Sequence, residues 1–128
     1  MDIQDSIIVF DALSQETRLK AFRLLVQAGL EGLPAGALSQ KLCTPHNTMS
    51  FHLSHLSNAG IVTSRRVGRS VIYSAKFDVM SDLIGFMVKD CCSDDFARIR
   101  KDKKTGCSII ELANYCKTQG KSRKKDRS

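Results

Sequence analysis

Between Gly32 and Phe77 the sequence has no aspartate or glutamate, although Lys41, Arg65, Arg66, Arg69 and Lys76 fall in that span. This absence excludes an ordinary solvated surface built from acid–base pairs and leaves a contiguous basic footprint suited to nucleic acid. The segment Met1–Asp5 lacks a basic region followed by an apolar one, and no apolar run approaches bilayer-spanning length, so a cytoplasmic protein is expected. The five cysteines are an odd number, which disfavours a disulfide framework and favours reduced thiols. No internal repeat is present. The last twelve residues, Lys117 to Ser128, lack apolar side chains and hold six bases against one acid. They carry +5 of the formal net charge of +7 and are expected to stay disordered. The remainder of the 128 residues is long enough for one domain with a core.

What is present centres on Thr44 to Gly60, TPHNTMSFHLSHLSNAG. Thr44 as N-cap, Pro45 at the first helical position and Gly60 as stop predict a helix of about four turns. Met49, Leu53 and Leu56 recur at i, i+4 and i+7, one stripe that docks on a core. The other faces carry His46, Asn47, Thr48, Ser50, Phe51, His52, Ser54, His55 and Ser57. Short neutral donors and acceptors with no carboxylate suit the major groove of DNA, so the stretch reads as a recognition helix.

Taken in order, Ile3, Ile7 and Phe10, widened by Ile8 and Ala12, predict a first helix over Ile3 to Leu13. Ser14 is expected to cap a second, Gln15 to about Ala28, with Leu19, Phe22, Leu25 and Val26 on its apolar side and Gly29 at its end. Pro34 opens a third through Leu42, with Leu38 and Leu42 inward. Cys43-Thr44-Pro45 then turns into the recognition helix, which makes a helix-turn-helix. After Gly60 the period changes. Ile61–Val67, a Gly68-Arg69 turn and Ser70–Ser74 predict a β-hairpin. Its arginines, Arg65, Arg66 and Arg69, lie at or near the tip, where they can contact phosphate or enter the minor groove. Phe77 to Asp90 reads as a fifth helix with Phe77, Met80, Ile84 and Met87 on one face. Helices one and five carry more apolar surface than one small domain can bury, which predicts a dimer interface. The fold class is mainly α with a β-hairpin. The expected divisions are 1–90 for DNA binding and dimerisation, 91–116 for a cysteine-containing segment and 117–128 for the basic tail.

Ala12-Leu13-Ser14-Gln15-Glu16-Thr17-Arg18-Leu19 resembles the opening signature, AL-x-x-x-x-R-L, of the ArsR/SmtB family of metalloid- and metal-responsive repressors. Ser50-Phe51-His52-Leu53, Leu56, Ala59-Gly60-Ile61-Val62, and Gly68-Arg69 with Tyr73 are similar to the family's S-x-HL-x-x-L-x-x-AG-(L/I)-V and wing patterns. The match runs from about Phe10 to Lys89. The resemblance implies a homodimeric winged helix-turn-helix that binds an inverted-repeat operator on double-stranded DNA and releases it when an inducer binds.

The inducer site varies within that family. One family site, a Cys-x-Cys at the start of the third helix, is absent here, because Pro34 and Gly36 stand in those places. Another, an Asp/His and His/Glu zinc set on the fifth helix, is not expected either, since that helix has Asp78 and Asp82 but no histidine or glutamate. Cys91-Cys92 after the fifth helix, with Cys107 and Cys116 further on, offers thiolates that select a soft ion. The sequence resembles the branch with a Cys-Cys pair and a further downstream cysteine that senses arsenite or antimonite. This implies Cys91, Cys92 and a third thiolate as ligands to As(III) or Sb(III), and no resident cofactor. Cys107, after Gly106 in a polar stretch, is favoured over Cys116 as the third. Methylarsenite, cadmium or an oxidant are the alternative inducers, and a constitutive DNA-binding module is the alternative class. Cys43 is expected to be a small buried hydrophobe. A thiol enzyme is not expected, because no cysteine has a paired histidine and basic cradle.

Overall fold

The computed structural model describes residues 1–88; Cys91, Cys92, Cys107, Cys116 and the basic tail lie outside the described residues. In chain order the elements are α1 (Ile3–Leu13), α2 (Glu16–Ala28), a 3-10 turn (Gly29–Glu31), β1 (Leu33–Pro34), α3 (Ala35–Lys41), α4 (His46–Asn58), β2 (Val62–Val67), β3 (Ser70–Ala75) and α5 (Phe77–Val88). Asp2–Val79 forms one unit and the chain from Met80 another. This is a winged helix-turn-helix, as expected.

α1 begins with a capping box. The Asp5 amide donates to the Asp2 carboxylate at 2.8 Å, and the Asp2 amide donates to Asp5 at 3.4 Å, which satisfies two of the helix's orphan donors. Its inward face is Ser6, Val9 and Ala12, whereas Ile3, Ile7, Ile8 and Phe10 are exposed. Ser14 was expected to cap α2 but instead closes α1, donating its amide and hydroxyl to the Asp11 carbonyl. Gln15 is the N-cap, its side-chain oxygen accepting from the Arg18 amide at 2.8 Å. α2 buries Ala21, Phe22 and Leu25. Leu19, expected inward, is exposed because it lies to the side of that face.

The sheet has the order β1-β3-β2, all antiparallel. β1, two residues long, was not expected: Leu33 pairs with Tyr73 and Pro34 with Ile72. A side chain at Gly32 would collide with the Tyr73 carbonyl oxygen and approach Ser74 Oγ to 2.6 Å, so glycine permits β1 to reach β3. The hairpin register, Val62↔Ala75 through Val67↔Ser70, leaves the two-residue loop Gly68-Arg69. Positive φ at Gly68 alone, 61°, is the arrangement of a II′ turn, whose twist matches the strands.

Leu25, Leu38, Met49, Leu53, Leu56 and Ile61 are fully buried, and Val9, Phe22 and Val62 nearly so. α4 therefore docks through its expected stripe, with each buried side chain worth about 1.5–3 kcal/mol. α5 buries Ser81 and Leu83, while Phe77, Met80 and Ile84 are half-buried and Met87 is 61% exposed.

Candidate nucleic-acid interface

The turn between α3 and α4 is set by backbone bonds. The Thr44 amide donates to the Ser39 carbonyl at 3.0 Å and the Cys43 amide to the Gln40 carbonyl at 3.3 Å. Cys43 takes φ 50°, the left-handed region, and so leaves the helical path. It is exposed, which corrects the expected burial: the residue that reverses the chain cannot also face the core. Thr44 is not the N-cap either. Its hydroxyl turns back to the Leu42 carbonyl at 3.0 Å, and Pro45 takes the capping position without a side-chain bond. At the other end the Gly60 amide reaches the Ser57 carbonyl and the Ile61 amide reaches that of Leu56, the pair of bonds of a Schellman motif.

Held this way, α4 exposes His46, Asn47, Thr48, Ser50, Phe51 and Ser54. Asn47, Phe51 and Ser54 lie opposite Met49, Leu53 and Leu56, Thr48 and Ser50 flank them, and His46, in the first turn, lies on the buried side beside Gly36 of α3. His52 and His55 differ. Both are half-buried, and they face the α1–α2 side. The His55 imidazole lies 3.4 Å from the Asp11 carboxylate, an ion pair when the ring is protonated. His52 Nδ1 is buried without a hydrogen-bond partner. Burial holds the His52 pKa below its ordinary value, and the positive Arg18 and then His55 add to the effect, since each disfavours a charged ring. Arg18 donates its Nε–H to the Ala12 carbonyl at 2.6 Å, which satisfies a carbonyl of the last α1 turn. The spacing of Ala12 and Arg18 in the sequence is thus a clasp between α1 and α2.

In the wing, Arg66 and Arg69 are exposed and make no hydrogen bond or ion pair among the described residues. Arg65, further from the tip than the other two, pairs with Ile72 within the hairpin. Its guanidinium folds back, donating to the Glu31 carbonyl at 2.8 Å and to Ser74 Oγ at 3.3 Å, and it ties β2 to the 3-10 turn. A cleft of about 480 Å³ between α1 and the end of α4 is lined by Ile7, Ile8, Asp11, His55, Asn58 and Ala59. Nothing local in the sequence signals the His55–Asp11 or Arg65–Glu31 contacts, because their partners lie 44 and 34 residues apart.

Residues 13–65 match the family described as a helix-turn-helix domain. The chain is 32% identical over 80 residues to the uncharacterized HTH-type transcriptional regulator YceK of Bacillus subtilis, covering 62% of this chain and 79% of that one. An ArsR-like transcriptional regulator from Rhodococcus sp. RHA1 superposes with a TM-score of 0.58 at 25% identity, covering 80% of this chain and 95% of that one. A homodimeric winged helix-turn-helix DNA-binding domain of Mycobacterium bovis, Mb0332, described as a possible ArsR-family regulator, gives 0.57 at 25% identity, covering 67% and 78%. The chain belongs to the HTH-type transcriptional regulators. Its winged helix-turn-helix is similar to those of the ArsR-like structures.

In this regulator the matched span runs from the end of α1 into the middle of β2, so it contains the whole of α3, α4 and the turn that joins them. Among the described residues no helix is long and apolar enough to cross a membrane, and no three His, Cys, Asp or Glu side chains are grouped to hold a metal ion.

Proposed function

We propose that this regulator is a repressor that binds operator DNA as a homodimer and leaves it when As(III) or Sb(III) binds Cys91, Cys92 and Cys107. The observation that carries the DNA-binding part is the exposed surface of α4, six candidate side chains without a carboxylate. Asn47, Thr48, Ser50 and Ser54 are of the size and polarity that read base edges, whereas Arg66 and Arg69 are free to meet phosphate or the minor groove. Two copies would set two α4 helices about one helical turn of DNA apart on a pseudo-palindrome. The exposed Ile3, Ile7, Ile8 and Phe10 supply an apolar surface for pairing, and the Mycobacterium bovis domain is itself homodimeric.

The inducer reading rests on the donor set. An adjacent cysteine pair with a third cysteine downstream, and neither histidine nor glutamate in α5, favours a soft thiophilic centre over zinc. Binding such a centre displaces thiol protons, and it releases DNA only if the free form binds it better than the DNA-bound form does.

Titration of the regulator–operator complex by fluorescence anisotropy with arsenite, antimonite, methylarsenite, cadmium and zinc tests the proposal. Arsenite and antimonite should lower operator affinity by roughly 5–150-fold, the usual range of such coupling, and zinc should not. Cys91→Ser and Cys92→Ser should bind DNA normally without responding. Cys107→Ser should lose the arsenite response yet keep one to methylarsenite, which offers two exchangeable positions. If Cys107→Ser still left the operator at the wild-type arsenite concentration, the third ligand would be Cys116. Operator binding indifferent to every thiol reagent would establish a constitutive DNA-binding protein instead.

A further inference from the structure

We propose that Phe51 reads thymine: its ring packs against a 5-methyl group in the major groove and gives the regulator a preference for T at one position of each half-site. The inference rests on the operator-binding reading above and adds to it the base that one side chain selects.

Phe51 is 73% exposed. At 3.6 residues per turn, Asn47, Phe51, Ser54 and Asn58 share one ridge of α4, nearly opposite the fully buried Met49, Leu53 and Leu56. All four ridge residues are exposed, and the other three are polar. The ring therefore has no apolar neighbour on its ridge and is not overflow from the core. The exposed apolar residues of α1 are different: Ile3, Ile7, Ile8 and Phe10 occur together, as a protein partner requires. A single aromatic ring among short amides and hydroxyls fits a surface that is mostly polar but offers isolated apolar points.

The major groove is such a surface. Its only apolar group is the thymine 5-methyl, and phenylalanine is among the side chains that contact it. The charge agrees, because α4 lies in the stretch without acids and neither Asn47 nor Ser54 would repel the flanking phosphates. A methyl group brought against the ring loses its contact with water, and the worth of one buried methyl, as a ratio of affinities, is about fourfold.

The test uses duplexes selected by the wild-type regulator from a randomised pool. Each protected thymine is replaced in turn by deoxyuridine, which lacks only the methyl, and affinity is read by anisotropy. At one thymine per half-site the replacement should weaken wild-type binding about fourfold, and at both together about sixteenfold. Phe51→Ala should bind thymine and uracil duplexes alike, while Phe51→Leu should keep part of the difference; circular dichroism verifies that both variants fold. A methyl dependence that persists in Phe51→Ala overturns the proposal, as does a wild type indifferent to every methyl. So does a Phe51→Ala variant that changes self-association and not DNA affinity, which would make this ridge a protein interface. A wild type that selects no duplex at all overturns the operator reading itself, a failure distinct from the others.

Discussion

α1 and α4 are amphipathic helices of similar length whose two sides are used in opposite ways. α4 buries Met49, Leu53 and Leu56 completely and shows water mostly polar groups with one phenyl ring, that of Phe51. α1 buries small residues, Ser6, Val9 and Ala12, and leaves Ile3, Ile7, Ile8 and Phe10 outside. Hydrophobicity alone does not separate them. What differs is the partner each outer face suits: polar base edges for α4, another apolar protein surface for α1. A helix's outward chemistry, once its inward face is known, identifies the class of partner.

The comparison breaks most sharply at a buried residue. Leu53→Ala empties a fully buried site and should cost about 2–5 kcal/mol in urea unfolding. Ile7→Glu, at a residue 53% exposed, should leave unfolding of the monomer nearly unchanged. It should instead raise the dimer dissociation constant in analytical ultracentrifugation and weaken binding to a two-half-site operator more than to one half-site. If Ile7→Glu destabilised the fold as Leu53→Ala does, the outer face of α1 would belong to the core.

A smaller effect distinguishes the wing arginines. Arg69→Ala should weaken operator binding and make the salt slope shallower by about one, with sequence preference retained. Arg65→Ala, which removes the bonds to Glu31 and Ser74, should leave that slope alone and lower thermal stability. Equal slopes for the two variants would show that Arg65 swings out to the DNA.

The smallest effect concerns the inner edge of α4. The folded state holds His52 below its ordinary pKa, through burial first and then Arg18 and His55. The unfolded chain, titrating near 6.5, therefore binds more protons in that window, so stability rises with pH there. Tm should be level above about pH 6.5 and fall as pH drops toward the folded pKa. His52→Gln should flatten that fall, measured by circular dichroism in buffers of matched ionic strength.

Much of this was legible in the chain. The spacing of Met49, Leu53 and Leu56 identified both the α4 helix and its buried side, because large apolar residues at i, i+4 and i+7 have one way to leave water together. The hairpin followed from β-branched residues on either side of Gly68-Arg69. Helix ends were less legible, since Ser14 and Thr44 are good caps by type yet bond backward, to Asp11 and Leu42. A hydroxyl's choice between neighbouring backbone groups depends on the path of the chain around it.

The sequence alone determined which residues share a face, where helices and strands alternate, and that the central stretch carries no acid, because these depend on local period, local conformational preference and composition. The tertiary structure decided which face turns inward. On α1 both Ile3-Ile7-Phe10 and Ser6-Val9-Ala12 lie at helical spacing, and the smaller set is the buried one, small side chains allowing close packing. It also decided that Leu33-Pro34 becomes a strand, that Cys43 faces water, and that Arg65 and His55 are held by Glu31 and Asp11. Each of these is a meeting of groups set by the packing of whole elements, and no local preference encodes it.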